Sequence, residues 1–230
     1  MTESRRDFGR ELYPFLHATS VAAGGEVAAL LLAVRQSTLA KCAEVVAMRD
    51  ALLGEFGDEM IAAASAMSER FAAGATLLAC GNGGSATDAD DAVADCVAPP
   101  VAGWCALPAV SLVSEGATVT ALTNDVGFEH AFTRQLAALA RPGDIALGFT
   151  TSGSSANVVA AMELARRRGL LTIACCGYDG GVLARPGAVD HCFVVRREFV
   201  PRIQEAHASL WHALLELVQL SLAARAEVAA

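Results

Sequence analysis

Positive charge is what this sequence has least of. Its 17 Lys and Arg face 25 Asp and Glu, a formal charge of -8, and no Lys/Arg-rich patch interrupts the balance. That excludes nucleic acid and anionic membrane as main partners. Any phosphate bound here must be held mostly by neutral donors. Long apolar runs are missing as well. The longest, Val27 to Val34, falls far below the roughly 18 to 20 residues that span a bilayer, so no membrane-spanning segment is expected. Paired cysteines are absent too: the seven cysteines are an odd number, follow no CxxC spacing and lie mostly in apolar stretches. They read as small buried thiols of a reducing compartment, which points to the cytoplasm. Ser4-Arg5-Arg6-Asp7-Phe8 resembles a twin-arginine export signal, but the stretch that follows carries Tyr13, Pro14 and His17 and is a poor hydrophobic region. There is no internal repeat and no low-complexity segment.

What is present is core material. With 54% of its 230 residues hydrophobic, the chain can bury a sizeable interior. From Glu26 to Ala73 apolar residues recur at helical spacing with no proline and only Gly54 and Gly57, which predicts two or more amphipathic helices. They carry more apolar positions than one face requires, as a helical subunit interface would. After Gly74 short apolar runs alternate with Gly/Ser-rich loops that each open a helix: Thr76 to Cys80, Ala109 to Val113, Ile145 to Phe149, Leu171 to Cys176 and His191 to Val195. Such runs suit buried parallel strands, and the alternation implies a doubly wound α/β sheet. A last helix is expected from about Pro201 to Ala226, with Ile203, Ala206, Leu210, Leu214, Leu217 and Leu220 toward the core.

Two loops are built for an anion. The first strand runs into Gly81-Asn82-Gly83-Gly84-Ser85 and then a helix; glycines let the backbone approach a ligand, and the helix N-terminus offers free N–H groups. Gly81, Gly83 and Ala86 satisfy a relaxed dinucleotide fingerprint, but the acidic residue after the second strand, Glu115, comes more than 30 residues on and the helix carries four aspartates. No nucleotide cofactor is therefore expected, and a plain glycine-rich turn stays open as a reading. The third strand ends in Thr150-Thr151-Ser152-Gly153-Ser154-Ser155, five hydroxyls around one glycine before another helix. This loop lacks the Gly-Lys-Ser/Thr ending of a nucleotide P-loop, yet it can wrap a phosphate monoester without a lysine. A solvated helix cap is the plainer alternative. On the following helices, Asp88, Asp91 and Asp95 fall on one face, and Gln204 and His212 lie about 80° apart around the last helix.

These pieces occur in one order together with Asn124-Asp125, Gly127-Phe128, Arg141-Pro142-Gly143-Asp144 and Arg202-Ile203-Gln204-Glu205-Ala206-His207. The chain resembles the sugar isomerase (SIS) domain family over roughly residues 55 to 222 and, within it, the phosphoheptose isomerases. The resemblance implies a SIS-type, doubly wound five-stranded parallel sheet flanked by helices. It places a helical extension at 1–54 and the SIS domain at 55–230. It also implies a homotetramer with sites between subunits, and an aldose–ketose isomerase that interconverts sedoheptulose 7-phosphate with a heptose 7-phosphate through an enediolate. Asn82, Gly83, Gly84, Ser85, Asp125, Thr150, Thr151, Ser152, Ser155 and Gln204 would bind the sugar phosphate. Asp95 and His212 would be the acid–base couple. Asp91, Asp95, Gln204 and His212 match the four ligand positions of the zinc-containing members.

Two of those four depart from the pattern: the family usually has His where Asp91 stands and Glu where Asp95 stands. Shortening the carboxylate arm by one methylene withdraws it by roughly 1 Å, enough to matter for proton transfer. Replacing imidazole by carboxylate hardens the ligand set, which weakens the expectation of zinc and admits another divalent metal or none. The alternative reading is a non-catalytic SIS protein that binds sugar phosphate and regulates a partner, as members associated with replication initiation do. Plainer readings of single residues are an aspartate row on a solvated face, His212 half-buried beside Trp211, and His207 in packing. His17, His130 and His191 are expected to be structural.

Overall fold

The computed structural model describes residues 24–229; the twin-arginine motif and His17 lie outside them. Helix α1 (Gly24–Ala72) is continuous over 49 residues, where two or more helices were expected. With no proline to remove an N–H, Gly54 and Gly57 cost propensity but do not end the helix, and neither has another group close to where a side chain would stand. Residues up to Glu44 form one unit and Val45–Ala230 a second. In the first, Val27, Leu30, Leu31, Leu32, Val34 and Leu39 are all exposed. In the second, Met48, Leu52, Phe56, Met60, Ala63, Met67 and Phe71 recur every three or four residues as a buried stripe, while Val46, Leu53 and Ile61 stay exposed. This is the surplus apolar face that the sequence showed.

The second unit continues through β1 (Leu77–Cys80), α2 (Gly84–Val97), β2 (Ala109–Ser111), α3 (Gly116–Val126), a 3-10 turn (Phe128–His130) and α4 (Ala131–Leu139). β3 (Ile145–Thr150), α5 (Ala156–Arg167), β4 (Leu171–Gly177), β5 (His191–Val195) and α6 (Val200–Ala229) complete it. All neighbouring strands pair in parallel, in the order β2-β1-β3-β4-β5. Strand residues alternate between two cores: Leu77, Ile145, Leu147, Phe149, Ile173 and Cys175 face α1, α2 and α6, while Leu78, Ala146, Ala174 and Cys176 face α4 and α5. Helices on both faces explain why the strands read as unbroken apolar runs. On α6, Ile203, Ala206, Leu210 and Leu214 are buried as expected, whereas Leu220 is exposed.

The motif Arg141–Asp144 is structural. Asp144 accepts from the backbone N–H groups of Thr76 (2.8 Å) and Arg141 (2.7 Å), pinning the starts of β1 and β3. The chain leaves β1 toward β2 and returns to β3 on the other side, so the crevice at the carboxyl ends of β1 and β3 is the switch point where doubly wound sheets bind ligands. No helix of the described residues is long and apolar enough to cross a membrane.

Candidate active site

The two loops predicted to bind an anion flank that switch point. After β1 the chain turns so tightly that a Cβ on Gly81 would collide with the Ser85 carbonyl, and Gly83 takes a φ of 57° before α2. Gly83 brings no side chain to cap the helix. After β3, buried Thr150 shares its hydroxyl with Ser155 (3.0 Å) and Ser152 (3.5 Å), and Ser152 Oγ accepts from the Ser154 N–H at 3.2 Å. Ser155 stands at the start of α5 yet makes no capping hydrogen bond to it. Gly153, at φ 60°, packs against the Gly180 carbonyl where no Cβ would fit. Two helix N-termini thus open side by side, with hydroxyls around them. That arrangement suits a phosphate monoester.

Gln204 joins this end, because a Cβ on Gly84 would strike its amide. Thr151, Ser152 and Ser155 are at least partly exposed, while Ser85 and Thr150 are buried and act through their neighbours. Asp125 lies exposed at the end of α3, accepting from Asn124 Nδ2 at 2.9 Å.

Asp95 and His212, expected as the acid–base couple, lie further along the same helices. Asp95 sits 11 residues beyond Gly84, roughly 16 Å along the axis of α2. Its Oδ2 accepts from Trp211 Nε1 at 3.1 Å and stands 3.6 Å from His212 Nε2. The His212 side chain is 64% exposed and that of Asp95 22%, so the carboxylate is partly sheltered and the imidazole is free to meet a ligand. Both line a cavity of about 480 Å³ walled by Pro100, Val101, Trp104 and Leu215. The pairing of Asp95 with His212 therefore stands, and the half-buried reading of His212 does not.

The four positions matched to a metal do not gather within one chain. Gln204 and His212 are separated by eight residues, roughly 12 Å along α6, and Asp91 is exposed on α2. No group of three or more His, Cys, Asp or Glu side chains that could hold a metal ion exists among the described residues.

Asn157 and the role of Trp211 escaped the sequence reading of the site. Asn157, buried at the start of α5, exchanges two 2.8 Å hydrogen bonds with Asn82 and so ties the two loops together; one Asn behind a Ser-rich turn gave no distinguishing signal. Asp88 lies partly buried with one oxygen unpartnered, and burial, helped by Asp91, raises its pKa to about 6. His207 is fully buried, its Nε2 bonded to the Cys176 carbonyl at 3.0 Å, and burial lowers its pKa to about 4. This bears out its packing role. Trp211 was visible only as the neighbour of His212. His191 pairs with Glu59 at 2.8 Å, and His130 lies beside Glu129 at the surface.

Comparison with known proteins decides the family. A SIS domain model matches residues 42–177. A phosphoheptose isomerase from Roseiflexus sp. strain RS-1 is 42% identical over 163 residues, 71% of this chain and 82% of that protein. The chain belongs to the phosphoheptose isomerase family of SIS-domain proteins. The phosphoheptose isomerase of Citrifermentans bemidjiense is 37% identical over 193 residues, covering 84% of this chain and 97% of its own length. Among solved structures, the phosphoheptose isomerase from Neisseria gonorrhoeae superposes with a TM-score of 0.73 at 34% identity, over 80% of this chain and 98% of that one. The phosphoheptose isomerase from Francisella tularensis gives 0.75 at 28% identity, over 81% and 98%. The five-stranded parallel sheet expected of a phosphoheptose isomerase family member is thus the fold observed.

Proposed function

We propose that this chain interconverts sedoheptulose 7-phosphate and an aldoheptose 7-phosphate, with Asp95 and His212 moving the protons. The observation that carries the reading is the carboxylate–imidazole pair, 3.6 Å apart on two packed helices beside a cavity, in a member of this family. Moving a carbonyl from C2 to C1 requires removal of the C1 proton, an enediolate, return of a proton at C2 and transfer of the hydroxyl proton between the two oxygens. Asp95 takes and returns the carbon-bound proton; His212 serves the oxygens and steadies the charge that develops there. The reaction is internally balanced and needs no external oxidant. The hydroxyl loop after β3, the Gly-rich loop after β1 and Gln204 hold the phosphate.

Asp95 stands roughly 16 Å along α2 from the loop end, more than an extended seven-carbon phosphate covers. This supports a site completed by a second copy, hence a homotetramer, with the exposed apolar faces of α1 as the contact. Tetramer mass by light scattering at micromolar concentration is the expected result; a monomer would overturn it. Seven unpaired cysteines accord with a reducing, cytoplasmic setting.

Turnover of sedoheptulose 7-phosphate by wild type and Asp95→Asn tests the assignment. Wild type should convert the sugar and Asp95→Asn should not, while both bind it alike, since the amide keeps the shape but cannot accept the proton. A silent wild type would leave the non-catalytic binding protein in front.

A further inference from the structure

We infer that Trp211 is the positioning residue for Asp95: its indole N–H fixes Oδ2 and so leaves Oδ1 as the oxygen that meets the substrate proton. The inference rests on Asp95 being the base and goes beyond it, because it concerns how a short carboxylate is aimed.

An aspartate on a helix has three staggered χ1 positions, and a carboxylate at a cavity edge has little to choose between them unless something holds it. Trp211 supplies that hold. It is 2% exposed, packed in the core between α2 and α6 with Cys96, Ile203 and Leu214, so its ring cannot swing away. A buried indole has one donor and needs an acceptor for it; Asp95 Oδ2, 3.1 Å away, is that acceptor. His212 approaches the same oxygen at 3.6 Å, but from an exposed side chain that has no comparable anchor. Both neighbours therefore converge on Oδ2. Oδ1 receives no hydrogen bond from any described residue. A general base must present a free lone pair at hydrogen-bond reach of the proton it takes. Trp211 divides the carboxylate into a tethered oxygen and a working one, and the tether comes from the residue directly before the proposed acid, so one turn of α6 sets both partners.

Trp211→Phe keeps an aromatic ring in the core but removes the N–H together with the pyrrole part of the indole, so the cavity it leaves is controlled for separately. Expected is a fall in kcat of roughly 10- to 100-fold, as for an unaimed reacting group, with KM for sedoheptulose 7-phosphate changed less than about twofold. Leu210→Ala serves as the control, because Leu210 is an equally buried neighbour on α6 that does not touch the carboxylate. Its kcat per folded molecule should match wild type even if its melting temperature falls further than that of Trp211→Phe. Equal losses of kcat in the two variants, or wild-type kcat in Trp211→Phe, would overturn the inference. Asp95→Asn run alongside separates the two levels: an active Asp95→Asn sinks the base assignment itself, whereas an inactive Asp95→Asn with an unimpaired Trp211→Phe sinks only the positioning role. A spectroscopic measurement stands independently of whether the Phe variant folds. The indole N–H proton of Trp211, distinguished from that of Trp104 by Trp104→Phe, should move upfield in Asp95→Ala; an unmoved resonance would show that the tether does not exist.

Discussion

Asn82 and Asn157 exchange two hydrogen bonds of 2.8 Å each, so the loops on either side of the switch point are tied by side chains and not by backbone. Each amide uses its oxygen and one N–H on the other, and the Asn157 oxygen also accepts from the Val158 N–H at 3.0 Å. Removing Asn82 leaves the buried Asn157 amide short of a partner, and removing Asn157 does the same to the partly buried Asn82. Asn82→Ala and Asn157→Ala should each cost about 1 to 3 kcal/mol of stability, and the double variant clearly less than their sum. Urea denaturation of the three variants checks this; strict additivity would mean that the pair carries no coupling.

The hydroxyl loop makes a prediction about ligand affinity. Ser152→Ala with Ser155→Ala should weaken sugar-phosphate binding by about 2 to 4 kcal/mol, the upper range for hydrogen bonds to a charged group. The dephosphorylated sugar should bind both proteins poorly. Calorimetry showing unchanged affinity for the phosphorylated sugar would remove this loop from the site.

Gly84 reports on Gln204. A Cβ there meets only the end of the flexible Gln204 side chain, so Gly84→Ala should fold with nearly native stability while displacing that amide and raising KM. Gly81→Ala, whose Cβ meets the Ser85 backbone, should instead lose stability. Thermal melts beside KM values distinguish the two; equal melting points with an unchanged KM for Gly84→Ala would free Gln204 from the ligand end.

Asp88 and His207 act in opposite directions with pH. Burial lowers the pKa of His207 to about 4 from an ordinary 6.5, so the unfolded chain binds the extra proton first. Stability from His207 is complete above pH 6.5 and is lost, by on the order of 3 kcal/mol, as pH falls through 4. Asp88, raised to about 6 from 3.8, contributes stability that is complete below 3.8 and lost as pH rises through 6. His207→Gln should therefore gain on wild type as pH falls from 7 to 4, and Asp88→Asn should gain as it rises. Denaturation at pH 4, 5, 6 and 7 measures both; parallel profiles for all three proteins would contradict the burial argument.

The sheet was legible because its strands are covered on both faces: His191–Val195 coincides with the observed β5, and the other runs differ only at their ends. The loops after β1 and β3 were legible because glycines and hydroxyls cluster there for reasons of backbone approach. α1 is one helix where two or more were expected, because an unobstructed helix runs on through Gly54 and Gly57. Asn157 and Trp211 were missed for a different reason. Each matters through bonds to one residue more than 70 positions away, and no periodicity records such a contact. Asp91, matched to a ligand position by the resemblance, lies exposed on α2.

Neither loop at the switch point contains a Lys or Arg; the donors from Gly81 to Ser85 and from Thr150 to Ser155 are hydroxyls, amides and backbone N–H groups. Recognition of a dianion by neutral dipoles does not displace condensed counterions, and it works only at contact distance. Salt should therefore not weaken the equilibrium affinity for sugar phosphate. On a chain of net charge -8, salt should instead quicken arrival of the ligand by screening the surrounding acidic surface. Added salt should fill the site faster and, at an unchanged off-rate, slightly more tightly, the reverse of a lysine-lined phosphate pocket.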